Sequence, residues 1–368
     1  MNKKKILFIT NGHGEDLVAA QIIDELNHKK LKIDVMPVVG DGRIFRKLNV
    51  KIIGPKNLLP SGGFGLRNYG YLFRDLFSGL IPNTIEQMRV LNKNKWEYSL
   101  VIGIGDAVPI IYSILTGCRV IIIGMNKSEH YRKLGFNYLW AEKWLLKKYC
   151  KLILARDEKT AKALRSFGIK SLYVGNPMMD MGIDKIRNPK SEIRNTIGFL
   201  PGTRQDAYNN IEDFYKIAWN IRKLDKKIRF ILSFPGTLDI SHLKKIKKPD
   251  SVKIEISRDF NKVLARSTIV IGLAGTANEQ AAGLGIPVIA FPGRGAQFNS
   301  RFAHGQKELL GNSLLLLPRR SQLIAKEAVD LIHNRKRMKR MGKAGIKRMG
   351  RPGASKKISN IIMSYLYR

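Results

Sequence analysis

Two turns in the second half of the chain are built to hold an anion. In "GLAGTANEQ", Gly275 and Thr276 open an expected helix directly after an apolar run, and Glu279 follows one turn later. A helix that starts beyond the carboxyl end of a buried strand presents free N–H groups and the positive end of its dipole to negative charge. The same Thr276-x-x-Glu279 spacing also fits a capping box, in which Glu279 only bonds back to the Thr276 N–H. In "GFLPGTR", Gly202, Thr203 and Arg204 follow another apolar run. Arg204 there suits bidentate contact with a phosphate, and a tight turn with a surface arginine is the plainer alternative.

Proton-transfer candidates sit in the first half. "TNGHGEDL" sets His13 between two glycines where a first strand gives way to a helix, so His13 could take a proton from a hydroxyl. The turn does not complete a G-x-G-x-x-G pattern, and Glu15 and Asp16 equally suit the acid-favouring first turn of a helix. Asp106, in "VIGIGDAVP", lies just past a strand, where partial burial would lift its pKa toward that of a useful base; a helix N-cap fits it as well. In "RGAQFNSRFAHGQ", Arg294, Asn299 and His304 read as loop residues and Gln297 as the contact to a sugar.

The elements that must position these residues are visible as pattern. "KILFIT", "KIDVMPVV", "VKIIG", "SLVIGIG" and "RVIIIG" are short runs rich in Ile and Val, the mark of strands buried on both faces. Between the first two, residues 16–28 carry apolar side chains at helical spacing. A second series begins near residue 195: "NTIGFLPG", a helix over 207–224, "IRFILSFPG", "SVKIEIS", a helix near 259–266, "STIVIGL", a helix near 277–284, "IPVIAFPG" and "SLLLLP". Strand and helix alternating in this way predict a parallel sheet covered on both faces, twice over. Residues 176–192 read as the linker, and 321–350 as a long basic helix pattern.

Of 368 residues, 66 are Lys or Arg and 29 are Asp or Glu, a formal charge of +37. Such a field draws polyanions: nucleic acid, an anionic bilayer or phosphorylated small molecules. In residues 57–82, aromatic and aliphatic side chains interleave with Arg67 and Arg74 behind a glycine-rich start, so the segment suits either an interfacial membrane contact or a core helix. The two cysteines, Cys118 and Cys150, form neither a disulfide framework nor a metal-ligand spacing, which fits a reducing cytoplasm. The apolar run after the basic start is too short for a signal-peptide core.

Several motifs occur in an order that resembles lipid-A-disaccharide synthase and, more distantly, the MurG-type enzymes. These are nucleotide-sugar-dependent glycosyltransferases of the GT-B fold. "GEDLVAAQIIDEL" is similar to the family's S-G-D-L-x-G-A turn and helix, "VIGIGDAVP" to I-D-x-P-D, and "YVGNPMMD" to V-G-H-P-L-x-D. "LPGTR" is similar to L-P-G-S-R, and "GLAGTANEQAAGLGIPVIAF" to S-G-T-A-T-L-E-A-A-x-x-x-P-x-V. The resemblance implies an α/β chain of two Rossmann-like doubly wound domains facing a cleft. Residues 1–180 would form the acceptor and membrane side, 191–350 the nucleotide-sugar side, and 351–368 a helix packing back on the first domain. It further implies inverting, metal-independent transfer of a sugar from a UDP-linked donor to a lipid acceptor at the inner face of the cytoplasmic membrane, by a cytoplasmic, peripheral protein with no cofactor beyond the co-substrate.

By the same resemblance, Gly202, Thr203 and Arg204 lie near the phosphates, Gly275 and Thr276 at the helix terminus, and Glu279 on the ribose. Asp106 matches the family's important aspartate, and His13 stands by the acceptor turn. The opening "NGHGED" and the shortened "GTANEQ" depart from the family pattern, so either Glu279 or Gln280 fits the acidic position. A non-hydrolysing UDP-sugar epimerase shares the fold and the donor site. A nucleic-acid-binding protein would account for the charge, but no reader motif or stacking platform accompanies it.

Overall fold

The apolar runs at the start of the chain become strands whose two faces both meet helices, which is why they lack the polar alternation of a half-exposed sheet. The computed structural model describes residues 3–26, 30–55, 80–181, 195–203, 206–236, 238–246, 248–249, 251–295 and 298–367. Its contacts divide the chain into two units, Met1–Met181 with Gly353–Arg368, and Gly182–Pro352.

The first unit runs β1 (Lys4–Thr10), α1 (His13–Asp24), β2 (Leu31–Pro37), β3 (Lys51–Ile52), α2 (Leu80–Lys93), β4 (Leu100–Gly105), α3 (Ala107–Leu115), β5 (Val120–Gly124), α4 (Trp140–Tyr149), β6 (Cys150–Leu154), α5 (Glu158–Ser166) and β7 (Ser171–Leu172). All pairings are parallel, in the order β3-β2-β1-β4-β5-β6-β7. Along β1, Ile6 and Phe8 enter one core with Val18 and Ile22 of α1. Leu7 and Ile9 enter the opposite core with Leu91 of α2, Ile110 of α3 and Leu146 of α4. Each such fully buried side chain contributes about 1.5–3 kcal/mol, so one strand anchors both helical layers.

The second unit runs β8 (Thr196–Leu200), α6 (Asp206–Leu224), β9 (Arg229–Ser233), β10 (Glu255–Ser257), α7 (Phe260–Arg266), β11 (Ile269–Gly272), α8 (Thr276–Gly283), β12 (Val288–Ala290), α9 (Ser300–Leu310), β13 (Leu314–Leu316), α10 (Ser321–His333) and α11 (Arg335–Met349). Its parallel order is β10-β9-β8-β11-β12-β13. In both sheets the order reverses direction beside the first strand, the signature of a doubly wound, Rossmann-like fold. The chain then returns to the first unit as α12 (Ala354–Leu366), whose Ile358, Ile362 and Leu366 join the core of Ile6 and Phe8. The Asp180 carboxylate accepts the backbone N–H groups of Gly353 and Ser355 and so caps α12 from across the unit.

Several elements differ from the pattern reading. The basic stretch 321–350 is two helices, because Asn334 leaves helical geometry (φ −97°, ψ 82°) and its side chain caps α11 by accepting the Arg337 N–H at 2.9 Å. β3 and β10 are shorter than their apolar runs suggest, each lying at a sheet edge with one neighbour. The strands β6 and β7 and the helices α4 and α5 extend the first sheet beyond the five runs singled out in the sequence. Residues 57–79 and most of the expected linker, 182–192, lie outside the described residues; Pro177–Asp180 forms a 3-10 turn. Among the described residues no helix is long and apolar enough to cross a membrane.

Candidate functional site

In the second unit the two glycine turns lie at the same end of adjacent strands. β8 and β11 pair in parallel with Leu200 opposite Gly272, and the Leu273 N–H donates to the Leu200 carbonyl at 2.8 Å. Gly202 and Thr203 therefore leave one strand, and Gly275 and Thr276 the next, at the point where the strand order reverses. Ligands of open parallel sheets bind at that point. Gly202 adopts φ +95°, a conformation that other residues rarely take, so the turn requires glycine there. Arg204 and Gln297 lie outside the described residues.

The capping box does not form. Gly275 occupies the N-cap of α8 and has no side chain to cap it. Thr276 is thereby the first helical residue, and Glu279 falls one position too late for the reciprocal bond. The helix opening is held instead from beneath by buried amides that the sequence reading did not single out. Asn278 Nδ2 donates to the Gly272 carbonyl at 3.1 Å and to Gln306 Oε1 at 3.0 Å. Gln306 Nε2 donates to the Gly275 carbonyl at 2.9 Å and to Glu279 Oε1 at 3.4 Å. Asn278 and Gln306 are wholly buried and Glu279 is only 4% exposed. Gly272 leaves room for this network: a Cβ there would stand 1.9 Å from Asn278 Oδ1.

The loop after β12 is tied to α6, which also holds the turn after β8. Asn210 of α6 donates to the Pro201 carbonyl at 2.9 Å, and Arg294 is bound by the α6 acids, Asp213 at 2.7 Å and Glu212 at 3.4 Å. Asn299 caps α9, and His304 Nδ1 lies 2.8 Å from the Ser300 carbonyl oxygen, so both serve the loop and helix.

The first unit carries acids at the equivalent point. β1 pairs with β4 with Thr10 opposite Ile104, which places the Asn11–Gly12 turn beside Asp106. The Asp106 side chain makes no cap bond to α3; Oδ1 accepts from Asn11 Nδ2 at 2.9 Å. Glu15 Oε1 accepts from Asn126 Nδ2, just beyond β5, at 2.5 Å. Asp16 is buried and accepts the Thr10 hydroxyl at 2.5 Å. Burial pushes the Asp16 carboxyl up to about 7, with Glu15 and Asp41 adding to the rise and the Thr10 hydrogen bond opposing it. His13 is the first residue of α1, and its side chain lies outside what is described. Three carboxylates, two of them oriented by amides, thus gather around one strand-end turn. Only Asp106 among them was singled out as catalytic from the sequence, because Asn11 and Asn126 carry no periodic signal.

No family model and no curated protein sequence matches the chain. Solved structures match along its whole length. One is MnaA of S. aureus in a structure with UDP, at TM-score 0.69 and 16% identity, covering 99% of this chain and 97% of that one. A second is MurG of Acinetobacter baumannii, at TM-score 0.63 and 13% identity, covering 98% and 99%. A third is the UDP-GlcNAc 2-epimerase of Neisseria meningitidis bound to UDP-GlcNAc, at TM-score 0.64 and 15% identity, covering 98% and 100%. At these identities the likeness is one of fold, a GT-B-like fold built of two Rossmann-like domains.

Proposed function

We propose that the protein is a glycosyltransferase that moves a sugar from a UDP-linked donor to the hydroxyl of a lipid at the cytoplasmic face of a membrane, in the manner of lipid-A-disaccharide synthase. The observation that carries this reading is the convergence of the 202–203 and 275–276 turns on one end of adjacent strands, where backbone N–H groups and a helix dipole favour a diphosphate. The neighbours in fold whose structures contain UDP or UDP-GlcNAc support it.

Gly202, Thr203 and Arg204 hold the phosphates, Gly275 and Thr276 offer the helix terminus, either Glu279 or Gln280 takes the ribose, and Gln297 takes the sugar. Asp106, oriented by Asn11, removes the acceptor hydroxyl proton, with His13 the second candidate for that step. The acceptor oxygen bonds to the anomeric carbon as the bond from that carbon to the diphosphate oxygen breaks, inverting the centre without a metal. Arg204 and the α8 dipole stabilise the charge that develops on the departing nucleotide.

A panel of nucleotide sugars tested by thermal shift decides the donor site, since a ligand that binds only the folded state raises its apparent stability. A UDP sugar is expected to raise the midpoint, and Arg204→Ala to abolish the rise. No shift with any UDP or GDP sugar removes the assignment.

The grouping of Glu15, Asp16 and Asp106 favours one second reading, a UDP-sugar epimerase, which needs several carboxylates around the sugar. Incubation with UDP-GlcNAc in deuterated water separates the two: an epimerase incorporates deuterium at the inverted carbon, and a transferase does not.

A further inference from the structure

Three neighbouring helices of the first unit present an apolar outer face. α3 packs between α2 and α4. Their inner sides are committed to the sheet: Leu91, Ile110 and Leu146 are in the core, and Tyr112 donates to Gln87 Oε1 at 3.0 Å while Gln87 donates to the Val38 carbonyl at 2.8 Å. The opposite positions should be polar on a helix that faces only water. On α2 they are Ile81, Ile85 and Met88, with Ile81 53% exposed. On α3 they are Ile111 and Leu115, and on α4 Trp140 and Trp144, with Trp140 72% exposed. The spacing is three or four residues throughout, so each helix turns one continuous stripe outward.

All four tryptophans of the chain lie at the surface, and three belong to this region: Trp140, Trp144 and Trp96, which follows α2 and whose backbone N–H donates to the Thr116 carbonyl just after α3. Basic residues border the stripes. Arg89 and Lys93 are on α2, and Lys147 and Lys148 on α4, with Lys148 Nζ 4.8 Å above the Trp144 ring. The exposed acid on these helices is Glu86, 3.5 Å from Arg89. The acid of α4, Glu142, is buried against Lys127.

We infer that this outer face of α2, α3 and α4 is the surface by which the protein docks on an anionic lipid bilayer, with the Trp and Ile side chains entering the headgroup boundary and the Lys and Arg side chains meeting lipid phosphates. Indole rings favour that boundary because one edge is apolar and the other donates a hydrogen bond. Charge complementarity selects the bilayer over a second copy of the chain. A two-fold contact through this face would set Lys147 and Lys148 near their own equivalents on a molecule of formal charge +37. A nucleic acid would use the charge and leave the Ile and Met stripe without a role. The inference rests on the lipid-acceptor part of the proposed function and is independent of the donor site.

The test is sedimentation of the full chain with phosphatidylcholine vesicles, with and without phosphatidylglycerol. The wild type is expected to bind the anionic vesicles, with its tryptophan emission shifted to the blue, and binding should weaken as salt rises. Trp140→Ser with Trp144→Ser should lose at least about tenfold in vesicle affinity, while Trp219→Ser, an exposed tryptophan on α6 of the other unit, should lose nothing. Because the replaced rings are exposed, the thermal midpoint should stay in place. Ile85→Ser with Ile111→Ser provides a second pair should the first fail to fold.

Equal binding by wild type and both pairs overturns the inference. So does equal binding to neutral and anionic vesicles, or a dimer in sedimentation velocity that either pair dissolves. If no nucleotide sugar shifts the wild type while vesicle binding follows these side chains, the donor reading falls and this one stands.

Discussion

The two strand-order reversals of this molecule have the same topology and opposite chemistry. In the second unit the turns after β8 and β11 are glycine and threonine over a floor of buried amides, with Asn278 and Gln306 fixing the carbonyls of Gly272 and Gly275 so that N–H groups face outward. In the first unit the turns after β1 and β4 carry Asp106, Glu15 and Asp16, with amides donating to two of them. In the proposed function one site receives negative charge and the other holds it. The difference lies in a handful of side chains at strand ends rather than in the scaffold, which is why a shared fold leaves the chemistry of each half to be read from its own residues.

The largest contrast is expected from Asp106→Asn. If the first unit supplies the base, turnover falls by roughly 10²–10⁴-fold while the nucleotide-sugar thermal shift stays intact; measuring both on one preparation checks it. A loss of the shift as well would place Asp106 in the donor site.

Asp16 gives the next effect. Its folded pKa is raised to about 7 from 3.8, so the folded state holds its proton more tightly than the unfolded chain. The stability this brings is fully present below about pH 4 and is lost as pH rises through 7, on the order of a few kcal/mol in all. Asp16→Asn should flatten the decline in calorimetric midpoint between pH 5 and pH 8 by a matching amount.

In the second unit, Gly272→Ala drives a methyl group into Asn278 and should cost about 1–3 kcal/mol in denaturant unfolding, together with the nucleotide shift. Gln306→Leu leaves the Gly275 carbonyl and the Asn278 amide short of a partner. A cost of about 1–2 kcal/mol is expected, with nucleotide binding weakened but not abolished by calorimetry. Retention of full affinity would show that the amide floor does not orient the turn.

The strands were legible because burial on both faces leaves runs of Ile and Val, and the glycine turns because only glycine suits positions such as 202. The capping-box reading of Thr276 failed by one residue: a pattern of types cannot tell whether glycine or threonine stands at the N-cap. Asp106 shows the converse, since it stands where an N-cap should and turns its carboxylate to Asn11 instead. The amides that build both sites were hidden because their partners are distant in sequence, 28 residues for Asn278 with Gln306 and 111 for Glu15 with Asn126. The apolar face of α2, α3 and α4 was masked in another way. An amphipathic pattern reveals which positions are oily, and not that a helix already anchored on one side has more of them than its core needs.

The return of α12 to the first sheet sets an order of assembly. Ile358, Ile362 and Leu366 cover strand residues laid down at the very beginning of the chain. During synthesis that oily surface stays uncovered while the whole second unit is made, and it closes only after residues 354–366 leave the ribosome. A fragment ending near residue 181 should therefore be sticky and poorly folded, whereas a rearranged gene that places 353–368 ahead of residue 1 should let the first unit close before the second exists.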